Sequence, residues 1–308
     1  MAKRMLECVT SDFQKFKKQD WLESIGASEG RVIACETIGM VMPMLGNITN
    51  AEFAASMGAD ILLLNIFDVK EPVIHGLPKV EASECIRELK RLTGRMIGIN
   101  LEPVEDGFVA EGQDEVWKIS EGRKATLENA GKALEMGVDM VLLTGNPGNG
   151  VKNQAITDTL RTLKAELGDK LILAAGKMHA SGVLSEGGEH IITKKDVEEF
   201  IEAGADIVLF PAPGTVPGIT MEYVRSLVET AHSRNVLTMT SIGTSQEGAD
   251  ESTIRQIALM CKMAGTDIHH LGDSGYVGMA LPENILAYSK VIRGVRHTYR
   301  RMAASVNR

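Results

Sequence analysis

The chain has 308 residues, of which 44% are hydrophobic and 24% charged. That is enough for one large buried core, and a single α/β barrel can occupy the whole length as one domain. A formal charge of −8 excludes a general nucleic-acid binder, which needs a net basic face to displace counterions from phosphate. No apolar run approaches the roughly eighteen residues of a membrane span, and residues 1–10 lack the apolar h-region of a signal peptide. Cys8, Cys35, Cys85 and Cys261 are widely spaced with no C-x-x-C pair, so neither a zinc site nor a disulfide framework is expected. A reducing, cytoplasmic compartment is the simplest assumption.

In chain order, residues 1–30 are read as a helical extension and residues 31–308 as the barrel. Phe13, Phe16, Trp21 and Leu22 stand among charged residues, and this spacing predicts a helix over residues 11–24 that covers the barrel bottom. Eight short runs rich in Val, Ile, Leu and Met follow, at residues 31–39, 60–68, 96–103, 140–148, 171–179, 207–214, 236–245 and 267–275. Amphipathic stretches of helical length separate them, the alternation of a parallel sheet. Gly58-Ala59-Asp60, Gly137-Val138-Asp139, Gly204-Ala205-Asp206 and Gly265-Thr266-Asp267 precede the even-numbered runs. A pattern recurring every two units predicts a (β/α)8 TIM barrel, α/β in class, built from quarter modules. In each repeat the Gly ends a helix and the Asp enters a strand at the amino-terminal face, a role in stability.

Thr49 with Glu52, and Thr193 with Asp196, form capping boxes that open helices. Residues 69–80 and 104–120 are long excursions on the carboxyl side, where lids and substrate loops lie. A last helix over residues 283–302 closes the ring. Its Lys290, Arg293, Arg296, Arg300 and Arg301 are read as a solvated face or a subunit contact, and a homo-oligomer is expected.

Chemistry in this fold sits where strands end. The first three strands end in Glu36 and Thr37, Asn65 and Asp68, and Asn100 and Glu102; the fourth and fifth end in Thr144 and Asn146, and Lys177 and His179. Lys177 is assigned as an electrophilic cation or an amine of depressed pKa, with Gly176 leaving room for a ligand; a salt bridge to Glu102 or Asp68 is the alternative. His179 is an acid, base or ligand, or a hydrogen-bonded loop residue. Glu36 and Glu102 either hold a hard cation such as Mg²⁺ or orient Lys177. Gly214 and Thr215 belong to a Pro-rich wall after the sixth strand. Gly243, Thr244 and Ser245, then Gly272, Ser274 and Gly275, form Gly-rich loops after the seventh and eighth strands, where barrels cradle phosphate on backbone N–H groups, although Glu247 and Asp273 add repulsion. With Asn65, Asn100 and Asn146 these loops make up the expected substrate-binding set. His269 and His270 occupy adjacent positions in the eighth strand, so one faces the barrel and the other the helices, and at least one is a satisfied core histidine.

The segment from Asn47 to Asp60, together with Lys177-Met178-His179 and the segment from Pro211 to Gly218, resembles an uncharacterised bacterial barrel family described as phosphoenolpyruvate phosphonomutase-like. True phosphonomutase and isocitrate lyase relatives hold Mg²⁺ with an Asp-x-Asp pair after the third strand, where this chain has Asn100-Leu101-Glu102. Through Lys177 the chain also looks loosely like class I aldolase barrels, whose commonest Schiff-base Lys is on the sixth strand. The expected function is that of a lyase or isomerase polarising a carbonyl or carboxylate in a small anionic, possibly phosphorylated, metabolite, with Lys177 as electrophile and Glu102 or His179 moving a proton. A Mg²⁺-dependent hydrolase and a phosphometabolite-binding barrel without turnover are the alternatives.

Overall fold

Eight parallel strands pair in chain order, and β8 closes on β1. They are β1 (Val32–Ile38), β2 (Ile61–Asn65), β3 (Met96–Leu101), β4 (Met140–Leu143), β5 (Ile172–Gly176), β6 (Ile207–Pro211), β7 (Leu237–Ile242) and β8 (Ile268–Leu271). This is a computed structural model, and it describes residues 3–105, 118–145, 148 and 150–308. All eight expected strands are present, and each ends before the carboxyl-side bound expected for it. Helices α1 (Thr10–Phe13) and α2 (Lys18–Gly26) precede the barrel. Around it run α3 (Asn50–Ser56), α4 (Cys85–Thr93), α5 (Leu127–Met136), α6 (Asn153–Leu167), α7 (Lys194–Ala203), α8 (Met221–His232), α9 (Glu251–Ala264) and α10 (Pro282–Ala303), the last broken at Gly294. Among the described residues no helix is long and apolar enough to cross a membrane.

Strand side chains alternate between two cores. Ala34, Leu63, Met96, Met140, Ala174, Leu209 and Met239 point inward and share one buried cluster with Met5, Phe13, Trp21 and Ile25 of the amino-terminal segment. Leu62, Ile97, Val141, Leu173 and Val208, one residue out of step, pack against the helices. The bottom is therefore plugged. The expected single covering helix is two short ones, with Phe13 of α1 stacked on Trp21 of α2 at 4.9 Å and Phe16, between the helices, edge-to-face with Trp21 at 5.0 Å.

The Gly-x-Asp repeat has one physical function. Gly58, Gly137, Gly204 and Gly265 all have φ between 94° and 111°, the left-handed conformation that stops a helix and that Gly adopts without steric cost. The following Asp then reaches back one strand. Asp60, Asp139, Asp206 and Asp267 accept the backbone N–H of Ile33, Ile97, Leu173 and Thr238 at 2.8–2.9 Å. Each carboxylate also has a basic partner: Arg293 for Asp60, Lys90 for Asp139, Lys18 for Asp206 and His232 for Asp267. Arg301 joins Arg293 on Asp60. These two arginines are buried, not part of a solvated face, because Asp60 at the barrel bottom draws them inward.

Candidate active site

At the opposite end the inward register of five strands carries polar groups in place of aliphatics. Glu36 follows Val32 and Ala34; Asn65 follows Ile61 and Leu63; Asn100 follows Met96 and Gly98; Ser241 follows Leu237 and Met239; His270 follows Ile268. Glu36, Asn65, Asn100 and Glu102 line a cavity of about 380 Å³ at the strand tops, together with Arg123, His179, Glu247 and Asp273. Four carboxylates thus face one guanidinium among the described residues.

Hydrogen bonds fix most of this ring. Asn100 Nδ2 donates to Glu36 Oε1 at 2.6 Å and to Asn65 Oδ1 at 3.0 Å, and Asn65 Nδ2 donates to Asp273 Oδ2 at 2.8 Å. Ser241 Oγ lies 2.5 Å from His270 Nδ1, and His270 Nε2 lies 3.8 Å from Glu36 Oε2. Burial holds His270 near a pKa of about 4, so it is a neutral imidazole beneath the carboxyl group. Its neighbour His269 faces outward and is satisfied by Tyr288 and the Gly30 carbonyl, the core role expected of one of the pair.

Arg123 reaches the site by a route the sequence did not announce. After β3 the chain returns so that Glu102 N–H donates to the Arg123 carbonyl and Ala125 N–H to the Glu102 carbonyl, each at 2.9 Å. This places the Arg123 guanidinium 2.5 Å from Glu102 Oε1. Arg123 Nε and Glu102 Oε2 are buried with no hydrogen-bond partner among the described residues. Such groups cost free energy unless a ligand or water completes them.

Burial, then the neighbouring Asp273 carboxylate, pushes the Glu36 carboxyl well above the usual carboxylate range, against the opposing Asn100 hydrogen bond. Burial also raises Glu102, with Arg123 opposing. It raises Asp273 and Glu247 too. His179 is lowered by burial and by Lys177. Its Nδ1 accepts from Ser181 N–H at 3.2 Å, which leaves the other ring nitrogen as the protonated one.

Several expected residues lie elsewhere. Lys177 does not line the cavity: it continues the outward register of Leu173 and Ala175 and pairs with Glu186 at 2.5 Å while only 3% exposed. Its partner is neither Glu102 nor Asp68. Gly176 makes room for β6 and not for a ligand, since a Cβ there would lie 1.9 Å from the Leu209 carbonyl oxygen. Gly214 and Thr215 are absent from the cavity lining; Thr215 Oγ1 instead bonds both the N–H and the carbonyl of Gly243. Gly243, Thr244, Ser245, Gly272 and Gly275 do line it, and Ser274 does not. Asn146 lies outside the described residues. Arg123 was missed because only the fold brings a helix-preceding loop back to β3. His270 and Ser241 could have been found by extending the inward register of their strands.

The Mg²⁺ expectation meets a poor donor set. Among the described residues no three His, Cys, Asp or Glu side chains are grouped to hold a metal. One oxygen of Glu102 is taken by Arg123, and Asn100 turns its N–H donors toward Glu36. A hard cation needs oxygen ligands facing it.

A solved structure of thiamine phosphate pyrophosphorylase from Pyrococcus furiosus is similar at 13% identity and a TM-score of 0.49, over 86% of this chain and 96% of that one. No curated protein sequence matches. Neither comparison supports the phosphoenolpyruvate phosphonomutase-like name. The profile of a family described as a domain of unknown function, DUF7916, matches residues 6–308, and the chain belongs to that family.

Proposed function

We propose that the chain is an acid–base enzyme of the isomerase or lyase kind, acting on a small carbonyl-bearing metabolite at the barrel mouth. The observation that carries this reading is the position of Glu36, an inward carboxyl group at the floor of the cavity, faced by Asp273, Glu247 and Glu102. Crowded, desolvated carboxylates cannot all ionise, so a proton is retained where no cation opposes it. Glu36, pushed well above the usual carboxylate range, is taken as that place, whereas Arg123 favours the ionised form of Glu102. In this division of labour Glu102 Oε2 removes a carbon-bound proton beside the carbonyl. Glu36 gives its proton to the carbonyl oxygen, forming an enediol, and proton return completes the shift. Arg123 Nε–H and the His179 ring N–H stabilise the developing oxyanion, the part first assigned to Lys177.

The test is deuterium incorporation from D₂O into a panel of hydroxy-aldehydes and hydroxy-ketones, followed by NMR. Glu36→Gln is expected to slow exchange by about 10²–10⁴-fold, the usual worth of a positioned general acid. With the wild type the rate falls as pH rises through the raised Glu36 pKa, because the acid form is lost. Exchange by Glu36→Gln at the wild-type rate, or no exchange with any compound of the panel, removes this reading.

A further inference from the structure

Barrels commonly hold a phosphate on backbone N–H groups after the seventh and eighth strands. Here the protein's own groups occupy several of those donors. Ser274 N–H donates to Glu247 Oε1 at 2.9 Å and Gly275 N–H to Asp273 Oδ1 at 2.8 Å. Gly243 N–H is held by Thr215 Oγ1, while Gln246 and Gly248 N–H close their own turn. The Glu247 and Asp273 carboxylates, which line the cavity, thereby add acceptors where a phosphate would need donors.

A second observation points to a ligand. Glu247 is only 2% exposed and lines the cavity, yet its Oε2 has no hydrogen-bond partner among the described residues. Gly272 lets β7 and the Glu247 carboxyl group approach, since a Cβ at that position would stand 2.9 Å from the Ile242 carbonyl oxygen and 3.4 Å from the Glu247 carboxyl carbon. A buried carboxylate oxygen is costly unless a donor meets it, and a charged donor meets it best. The surroundings supply no charged donor: Asp273, Glu36 and Glu102 are carboxyl groups, burial disfavours the charged form of His179, Ser274 offers Glu247 only a hydroxyl, and the Arg123 cation is matched by Glu102.

We infer that the β7–β8 side of the cavity is an ammonium subsite, so that the substrate of the acid–base centre carries a positively charged amino group and not a phosphate. This rests on the cavity being the active site. The ligand ammonium donates to Glu247 Oε2 and neutralises the Glu247 and Asp273 pair, while its carbonyl end lies toward Glu36, Glu102 and Arg123. Binding a cation favours the ionised carboxylates, so protons leave the protein as the ligand enters.

Isothermal titration of the full chain with glucosamine, glucose and glucose 6-phosphate tests the inference, since the three share a ring and differ in one charged group. Glucosamine is expected to bind about tenfold more tightly than glucose, with proton release seen as a buffer-dependent heat. Glucose 6-phosphate is expected to bind more weakly than either. Glu247→Gln should abolish the glucosamine advantage and leave glucose binding in place; should that variant not fold, Asp273→Asn carries the same expectation. The idea is overturned by preference for glucose 6-phosphate, equal binding of glucosamine and glucose, no binding of any of the three, an unchanged ratio in the folded variant, or magnesium chloride alone displacing glucosamine. The two readings fail separately, because deuterium exchange reports on Glu36 and the affinity ratio on Glu247.

Discussion

Removing the Glu186 carboxylate leaves the Lys177 ammonium buried without a counter-charge, and a desolvated, unpaired charge is strongly destabilising. Because Glu186 is 36% exposed, water screens part of the pair, and Glu186→Ala is expected to cost about 2 kcal/mol. Lys177→Met removes the charge itself and should cost less, while deuterium exchange and the glucosamine-to-glucose ratio stay at wild-type values. Urea denaturation and the two ligand assays check this; a folded Lys177→Met that no longer exchanges deuterium would return Lys177 to the chemistry. Strand register decides the matter. Inward Ile172 and Ala174 already imply that position 177 faces the helices, so its place outside the cavity lining could have been read from sequence alone. Glu36, Asn65, Asn100 and Glu102 were legible as cavity residues because strand-top polar groups at inward positions have few other places to go. Arg123 was not, since it depends on a long connection returning to β3, and the role of Glu247, seen only as repulsion, depends on which partner the loop amides choose.

At the scale of elements, each quarter of the barrel is held by an Asp that grips the strand before its own. The Gly of each repeat was readable as a helix stop, and the two capping boxes formed as expected, Thr49 with Glu52 and Thr193 with Asp196. What the Asp does was hidden, because an adjacent-strand N–H is remote in sequence. Asp206 shows the energetic weight of the device: it accepts the Leu173 N–H and pairs with Lys18 at 2.6 Å, the two side chains being 11% and 9% exposed. Asp206→Ala leaves a buried donor unpaired and the Lys18 ammonium with only the Gly168 carbonyl and no counter-charge, which predicts a loss of about 3 kcal/mol. Asp206→Asn keeps an acceptor for the N–H and should lose less. Equal losses for the two in chemical denaturation would mean that the strand clamp contributes nothing beyond the ion pair.

Across the whole molecule the two ends of the barrel have opposite physical character. At the bottom opposite charges meet: Asp60 pairs with Arg293 and Arg301, and Arg301 also bonds the carbonyls of Met5 and Cys8. At the top, acceptors on Glu102, Glu247 and Asn100 stand unpartnered around a cavity. Stability and binding are therefore separable by position. Trp21 is 4% exposed and stacks on Phe13 within the cluster that fills the lower barrel, so Trp21→Ala creates a cavity worth about 3–5 kcal/mol. Thermal and urea unfolding should show that loss, while the folded variant keeps the wild-type ratio of glucosamine to glucose affinity. The inward side chains between the two ends are rigidly packed aliphatics whose positions a vacancy below does not shift by the distance a hydrogen bond senses. A ratio that falls with stability would instead mean that the plug sets the geometry of the mouth, and the bottom of the barrel would then belong to the functional description.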